Sequence, residues 1–175
     1  MAYWLVKTEP ADGGLLDFQA AGPASLVWDG VRNYQARNFL RAMDLKDEVL
    51  LYHASCAEIG VVALLKVVRK PYPDPLQFDL KSSYFDASSN QCQPRWTAVD
   101  LALVRAFPKV VPLATLKRTP AFDGSDLTEK VAGCQSCRLT RISGAPLWPW
   151  RVFKRDHRLE RRLIRSLPRH KCPLP

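Results

Sequence analysis

The chain has 175 residues, 47% hydrophobic and 25% charged, a balance that excludes a wholly disordered protein and fits one globular domain. No stretch approaches the 18 consecutive apolar residues of a transmembrane helix, and the first ten residues lack the features of a signal peptide. The five cysteines, an odd number, favour free thiols in a reducing compartment. We therefore expect a cytoplasmic protein that does not enter a membrane.

The net charge of +9 is confined to the end of the chain. Residues 1–130 contain 15 Lys or Arg and 15 Asp or Glu, whereas residues 131–175 contain 11 and 2. A basic segment of this kind attracts phosphate without regard to base sequence. We predict one globular domain over residues 1–130 and a basic, Arg/Pro-rich segment over 131–175 that need not be well ordered.

The first part of the chain predicts two short strands and two helices. In chain order we expect an edge strand at Tyr3–Val6, one or two helical turns at Leu15–Ala20, an extended segment at Leu26–Trp28 and a helix at Tyr34–Met43. The last helix is amphipathic, because its apolar residues recur at i, i+3, i+4 and i+7: Ala36, Phe39, Leu40 and Met43.

The remaining elements are mostly strands. We predict strands at Glu48–His53, Ile59–Val68 and Trp96–Phe107, and a short helix at Pro112–Lys117 opened by its proline. The second of these strands is apolar on both faces, which predicts that both are covered. Prolines exclude a helix over residues 70–95, where the aromatic residues favour a packed loop. Together these elements predict an α+β fold with a small mixed β-barrel flanked by short helices.

Standard catalytic and metal-binding motifs are missing from the sequence. Cys134 and Cys137 form a Cys-x-x-Cys pair, but a tetrahedral zinc site needs further ligands at matching spacing, and no second close pair is present. His53 is the one histidine of residues 1–130, and we interpret it as a hydrogen-bonded residue rather than half of a Cys–His dyad. We predict a protein that is not an enzyme and holds no metal or cofactor.

The segment from Trp28 to Asn38 is the most informative part of the sequence. It combines an aromatic ring, a turn at Asp29-Gly30, two arginines, two asparagines and a glutamine around a helix start. Recognition of a planar base uses such groups: a ring for stacking, polar groups for the base edge and cations for phosphate. The alternative is that these residues serve packing and helix capping, for which Asn33 is well placed.

Five segments, in the same order along the chain, resemble the successive motifs of the EVE domain family: Tyr3–Pro10, Trp28–Asn38, Leu51–Ser55, Tyr72–Pro75 and Pro94–Asp100. The resemblance implies a PUA-like fold, a small mixed β-barrel flanked by helices. It also implies a role in binding modified bases in DNA or RNA, without an established catalytic activity. The resemblance covers about residues 1–120. The partners that it implies are nucleic acids, DNA or RNA.

The resemblance implies a base-binding site lined by three segments: Lys7, Thr8, Glu9, Trp28, Val31, Arg32, Asn33, Tyr52 and His53. Arg32 and Arg37 would contact phosphate, and Glu9 would accept a hydrogen bond from the exocyclic amine of cytosine or adenine. For Trp28 and Tyr52 the alternative is burial in the core, and for the two arginines it is a solvated face.

Beyond the short helix the chain departs from the family pattern. Arg138-Leu139-Thr140 echoes the start of a family motif, but the residues after it do not continue that motif. The basic segment is either a lineage-specific arm or the product of a shifted reading frame. The sequence thus predicts a non-catalytic nucleic-acid-binding domain that recognises a modified or flipped base. The alternative is a binder of, or an enzyme acting on, a free nucleobase, nucleoside or similar planar molecule.

Overall fold

The computed structural model describes residues 2–118 and the strand at 139–142, so Cys134 and Cys137 lie outside the described residues. The elements in chain order are β1 Tyr3–Thr8, α1 Leu15–Ala21, β2 Leu26–Trp28, α2 Tyr34–Ala42, β3 Glu48–His53, β4 Gly60–Pro73, a 3₁₀ helix at Pro75–Phe78, β5 Thr97–Pro112, α3 Leu113–Lys117 and β6 Leu139–Ile142. Each predicted strand and helix is present, and β4 and β5 run about five residues past their predicted ends. Within the described ranges, no helix is long and apolar enough to cross a membrane.

The described strands form one mixed sheet in the order β2-β5-β4-β3-β1-β6. β1 and β3 are parallel, and the other neighbouring pairs are antiparallel. The predicted α+β class, with a mixed sheet and short helices, is confirmed. The predicted closure into a barrel is not seen among the described strands, because β2 and β6 form the two edges and do not pair with each other. β2 has only three residues, and the Asp29-Gly30 turn ends it.

The prediction that β1 is an edge strand was wrong. β6 pairs with β1 from Tyr3↔Ile142 to Val6↔Leu139, so β1 lies between β3 and β6. The edge prediction rested on the short strand and the Glu9-Pro10 ending, and neither reports a partner that lies more than 130 residues away in sequence. The outer position belongs to β6, which falls inside the segment predicted to be only a basic arm.

The interval 70–95 contains a packed loop, as predicted, but the prediction that it holds no helix was wrong, because a 3₁₀ helix forms at Pro75–Phe78. β4 continues to Pro73, and a 3₁₀ helix starts at Pro75, where a proline needs no amide partner. Gln77 is fully buried in this loop. Its Nε2 donates to the carbonyl oxygens of Asp74 and Trp96, and its Oε1 accepts from the amides of Arg95 and Trp96. One side chain therefore holds both ends of the loop together.

The apolar stripe of α2 packs into the core as predicted. Ala36, Leu40 and Met43 are buried, and the Phe39 ring lies 6.2 Å from the ring of Trp4. The helix begins where the sequence predicts a cap, since the Asn33 side chain accepts a hydrogen bond of 2.9 Å from the Ala36 amide. Of β4, residues 61–65 are buried without alternation, which confirms two covered faces there. At the end of β5, Pro112 occupies the N-cap position of α3 without a side-chain capping hydrogen bond, so the helix starts at Leu113, one residue later than predicted.

We expect truncation after residue 130 to destabilise the domain, because it removes β6 and leaves the backbone groups of β1 as an open sheet edge. Truncation after residue 142 retains β6 and should leave the melting temperature close to that of the full chain. Thermal unfolding followed by circular dichroism would compare the two. Equal melting temperatures for the two truncated proteins would show that β6 contributes nothing to stability.

Candidate functional site

The carboxyl ends of β1 and β3 lie side by side at the same end of the sheet, because the two strands are parallel neighbours. Their register pairs Lys7 with Tyr52 and Thr8 with His53. The Ala54 amide donates to the Thr8 carbonyl at 2.9 Å, which continues the pairing past the strand end. The structure thus brings together four residues of the predicted site. We define the strand-end group as these four residues, Lys7, Thr8, Tyr52 and His53, together with the exposed Glu9 that follows β1.

His53 in this group has a clear structural partner. Its Nε2 accepts a hydrogen bond of 3.2 Å from the amide of Leu15, the first residue of α1. Burial lowers the pKa of His53, so the neutral ring that can accept this bond is favoured. Thr8 is also engaged, since its hydroxyl donates to the Asp12 carbonyl in the loop between β1 and α1. These two side chains hold the start of α1 against the strand ends.

The central segment, residues 28–33, is fixed by a buried carboxylate. Asp74 is 0% exposed and accepts hydrogen bonds from the Gly30 amide at 3.1 Å and from Arg32 Nη1 at 2.7 Å. Gly30 has φ of +67°, and a Cβ at this position would lie 3.0 Å from the ring of Tyr84. The turn therefore depends on a glycine both for its backbone angle and for the close approach of an aromatic ring.

Arg32 is bound by the protein on several sides. Besides its ion pair with Asp74, its Nε donates to the Tyr84 carbonyl at 2.9 Å. Its guanidinium lies 5.3 Å from the ring centres of both Tyr84 and Trp96. Asp74 neutralises its charge, so the geometry gives Arg32 a role in holding the central segment. Its predicted contact with phosphate stays a prediction.

Trp28 and Val31 point into the core. Trp28 is 7% exposed and shares a buried cluster with Trp4, Val6 and Val31. The indole nitrogen of Trp28 is buried without a hydrogen-bond partner among the described residues. An unpaired buried donor costs about 1–3 kcal/mol. Tyr52 is also buried, and this burial raises its pKa. Both aromatic residues are therefore buried, and Trp28 belongs to the core cluster, whereas their predicted contact with a base stays a prediction.

The sequence analysis did not assign Asp29 to the predicted site. Asp29 is half-buried, and burial followed by the nearby charge of Asp74 raises its pKa. A smaller contribution to this increase comes from Asp12, in the loop that Thr8 holds. Asp29 thus belongs to the central segment and is close enough to Asp74 and Asp12 to be affected by their charges. The signal was available in the Trp28-Asp29-Gly30 motif, but the aspartate was interpreted only as a turn residue.

Arg37 lies on α2, beyond the central segment. Its guanidinium is 4.8 Å from the ring centre of Tyr34 and 6.0 Å from that of Trp96, the ring that Arg32 also approaches. Trp96 thus connects the two arginines predicted to contact phosphate. The prediction that all the site residues converge on one base-sized cavity stays a prediction.

Comparison with known proteins supports the resemblance noted in the sequence. The family model of the EVE domain matches residues 2–142. The chain belongs to the EVE domain family. The match runs past the domain boundary predicted at residue 130 and includes β6. That boundary stays a prediction.

Individual relatives of this EVE domain include both curated and solved proteins. Thymocyte nuclear protein 1 of Mus musculus is 43% identical over 124 residues, covering 66% of this chain and 55% of the mouse protein. The chain thus spans about half the length of the curated relatives it matches.

Two solved structures show the similarity of fold. A Pseudomonas putida protein has a TM-score of 0.71 at 39% identity, covering 87% of this chain and 97% of that one. Human THYN1 protein, in complex with DNA containing 5-methylcytosine, has a TM-score of 0.70 at 32% identity and covers 96% of this chain and 100% of its own.

The lowered pKa of His53 predicts a pH dependence of the stability of this EVE domain. Its contribution is fully present above about pH 6.5, the ordinary histidine pKa, and is lost as the pH falls through the lowered pKa of the folded state. His53→Gln keeps an acceptor for the Leu15 amide and does not titrate. We expect the free energy of unfolding of the variant to change less between pH 7 and pH 5, as measured by urea unfolding. Equal slopes in the two proteins would contradict the assignment.

Substitution of Trp28 distinguishes a core residue from a stacking surface. Because Trp28 is buried in the core cluster, Trp28→Ala should lower the free energy of unfolding by about 3–5 kcal/mol. Trp28→Phe should cost less, since it keeps one ring and removes the unpaired donor. Denaturant titration measures both losses. If Trp28→Ala kept the stability of the parent protein but lost ligand binding, the ring would be a stacking surface.

Proposed function

We propose that this EVE domain binds nucleic acid without catalysing a reaction, and that it recognises a modified or flipped base. The observation that carries the proposal is the similarity to the human relative, which was solved with DNA containing 5-methylcytosine and aligns with 96% of this chain. DNA carrying that base is accordingly the first ligand to test. RNA with a modified base is the second.

The carboxylates near the strand ends support recognition of a base edge. Cytosine and adenine present an exocyclic amine that needs a hydrogen-bond acceptor. Glu9 is exposed directly after β1, and Asp29 is half-buried at the end of β2. We propose that Glu9 accepts from such an amine. Lys7, whose strand position is next to Tyr52, adds a cation on the same edge of the sheet.

The rigidity of the central segment supports binding with a low ordering cost. Asp74 and Tyr84 hold Gly30 and Arg32 before any ligand arrives. A segment that is ordered in advance loses little conformational freedom on binding, and more of the contact energy appears as affinity. The helix cap at Asn33 fixes the other end of the segment.

The engagement of His53 favours a binding role over an enzymatic one. A general base needs a free nitrogen within reach of the proton that it removes. Nε2 of His53 already accepts from the Leu15 amide, and the Cys56 thiol donates to the Glu58 carbonyl at 3.3 Å. Cys56 and Cys92, the cysteines of the described part of the chain, are both free, which accords with the cytoplasmic location that we propose.

A short duplex with one 5-methylcytosine and its unmodified counterpart test the proposed function. We expect the full chain to bind the methylated duplex more tightly, as measured by fluorescence anisotropy. Glu9→Ala should weaken binding of both duplexes, because it removes the proposed acceptor of the exocyclic amine, which cytosine and 5-methylcytosine share. Glu9 is exposed, so the melting temperature should not change.

Glu58→Ala is the matched control, since Glu58 is an exposed glutamate of the loop between β3 and β4 and belongs to neither the strand-end group nor the central segment. It should keep the affinities of the parent protein for both duplexes. Equal affinities for the two duplexes, and for the corresponding RNA pair, would overturn base recognition. Saturable binding of free 5-methyldeoxycytidine together with no binding of DNA would favour the small-molecule alternative.

A further inference from the structure

Three arginines converge where the face of α2 meets the residues before β5. Arg41 Nε donates to the Thr97 hydroxyl at 3.0 Å, and its Nη2 donates to the carbonyls of Pro94 and Arg95 at 3.2 Å. Arg37 Nη1 donates to the same Arg95 carbonyl at 3.2 Å. Two guanidinium groups thus share one carbonyl oxygen. We call Arg37, Arg41 and Arg95 the arginine surface.

The positive charge of this surface is only partly neutralised. Arg95 Nη1 lies 3.4 Å from an oxygen of Asp86. Across residues 2–118, no ion pair joins Arg37 or Arg41 to a carboxylate. Burial first, and then the charges of Arg41 and Arg95, lower the pKa of Arg37. The neighbouring guanidinium groups therefore repel one another in the free protein.

The fold maintains this arrangement despite its unfavourable charge. Arg37 and Arg41 are spaced i, i+4 on one helix, where like charges destabilise the helix by a few tenths of a kcal/mol. The acceptors that hold them are neutral carbonyl and hydroxyl oxygens, which orient the guanidinium groups but leave their charge. Guanidinium groups oriented in this way, without a carboxylate, are suited to an anion that accepts several hydrogen bonds.

Aromatic contacts connect the arginine surface to the site. The Tyr34 ring is 49% exposed and lies 5.0 Å from the ring of Trp96. Arg95 donates to the Tyr34 hydroxyl. Trp96 also contacts Arg32 of the central segment. The positive surface is therefore continuous with the central segment, rather than on a separate face.

We propose that the arginine surface binds the backbone phosphates of the nucleic acid strand that delivers its base to the central segment. This inference rests on the proposed function. Arg37 and Arg41 carry the phosphate contacts, Arg95 adds to the field, and Arg32 serves the fold because Asp74 neutralises it. Phosphodiester is the anion that matches a site next to a base reader, since each phosphate presents two acceptor oxygens that share one negative charge.

The dependence of DNA affinity on salt tests the proposal, because it counts the phosphates that the protein neutralises. The full chain and Arg37→Gln/Arg41→Gln are titrated with the methylated and unmodified duplexes at a series of NaCl concentrations. The slope of log K against log [NaCl] should fall in magnitude by about 1.8 for the double variant, at about 0.9 per phosphate contact. Affinity for the two duplexes should fall by the same factor, since phosphates carry no base identity.

Two matched variants separate charge from structure. Arg37→Lys/Arg41→Lys keeps both charges and should keep the slope, although it loses the guanidinium geometry. Lys66→Gln/Lys109→Gln removes two exposed charges from β4 and β5 and should change the slope much less. If the two Gln double variants changed the slope equally, or if neither did, the arginine surface would not be the phosphate site.

The outcomes for the two proposals are distinct. A reduced slope without any preference for the methylated duplex would support the arginine surface and overturn base recognition. A methyl preference with an unchanged slope in Arg37→Gln/Arg41→Gln would overturn the arginine surface and support base recognition. Failure of the full chain to bind either duplex or their RNA counterparts would overturn both proposals. An acidic protein would then be the partner to test.

Discussion

The ion pair between Asp74 and Arg32 is the interaction on which the arrangement of the site depends. Asp74 is fully buried, and it also accepts from the amides of Gly30 and Leu76, so one carboxylate joins the end of β2 to the 3₁₀ helix that follows β4. Loss of the carboxylate would leave a partly buried guanidinium and two amides without their acceptor. Such losses from a buried pair are strongly destabilising, because the remaining charge keeps its desolvation cost. The position of the central segment is therefore set by a residue more than forty places further along the chain.

Gln77 extends the effect of Asp74 to the arginine surface. It donates to the Asp74 carbonyl and to that of Trp96, and it accepts from the amide of Arg95. The carbonyl of Arg95 in turn holds Arg37 and Arg41. A continuous series of hydrogen bonds thus runs from the base-recognition segment to the proposed phosphate contacts. Because each buried polar group in it has a partner, the series gives a defined geometry.

Local sequence patterns predicted the elements well but predicted their partners poorly. The stripe of α2, the cap at Asn33 and the apolar run of β4 depend on residues within a few positions of one another, which periodicity reports directly. The predicted edge position of β1 was wrong, because the neighbours of β1 include β6, which lies in a segment of unusual composition. The roles of Asp74 and Asp29 depend on contacts across the fold, so the segments Tyr72–Pro75 and Trp28–Asn38 that contain them did not reveal these roles. The sequence analysis identified the arginines on α2, but it did not predict that the residues before β5 orient them.

Among the described residues, the buried side-chain atoms without a hydrogen-bond partner are the indole nitrogen of Trp28 and Oε2 of Glu48. The first begins the Trp28–Asn38 segment that resembles the family, and the second lies outside that segment, on β3. Near the other end of this segment Arg37 forms no ion pair with a carboxylate among the described residues, and neither does Arg41, one turn further along α2. Elsewhere in residues 2–118, buried polar side chains such as Asp47 and Gln77 are supplied with several partners each. Proteins generally concentrate such departures from internal satisfaction at the places where they bind other molecules. The fold thus stabilises itself through Asp74 and Gln77 and leaves positive charge uncompensated on the adjacent surface of α2, where a phosphate backbone would supply the missing anion.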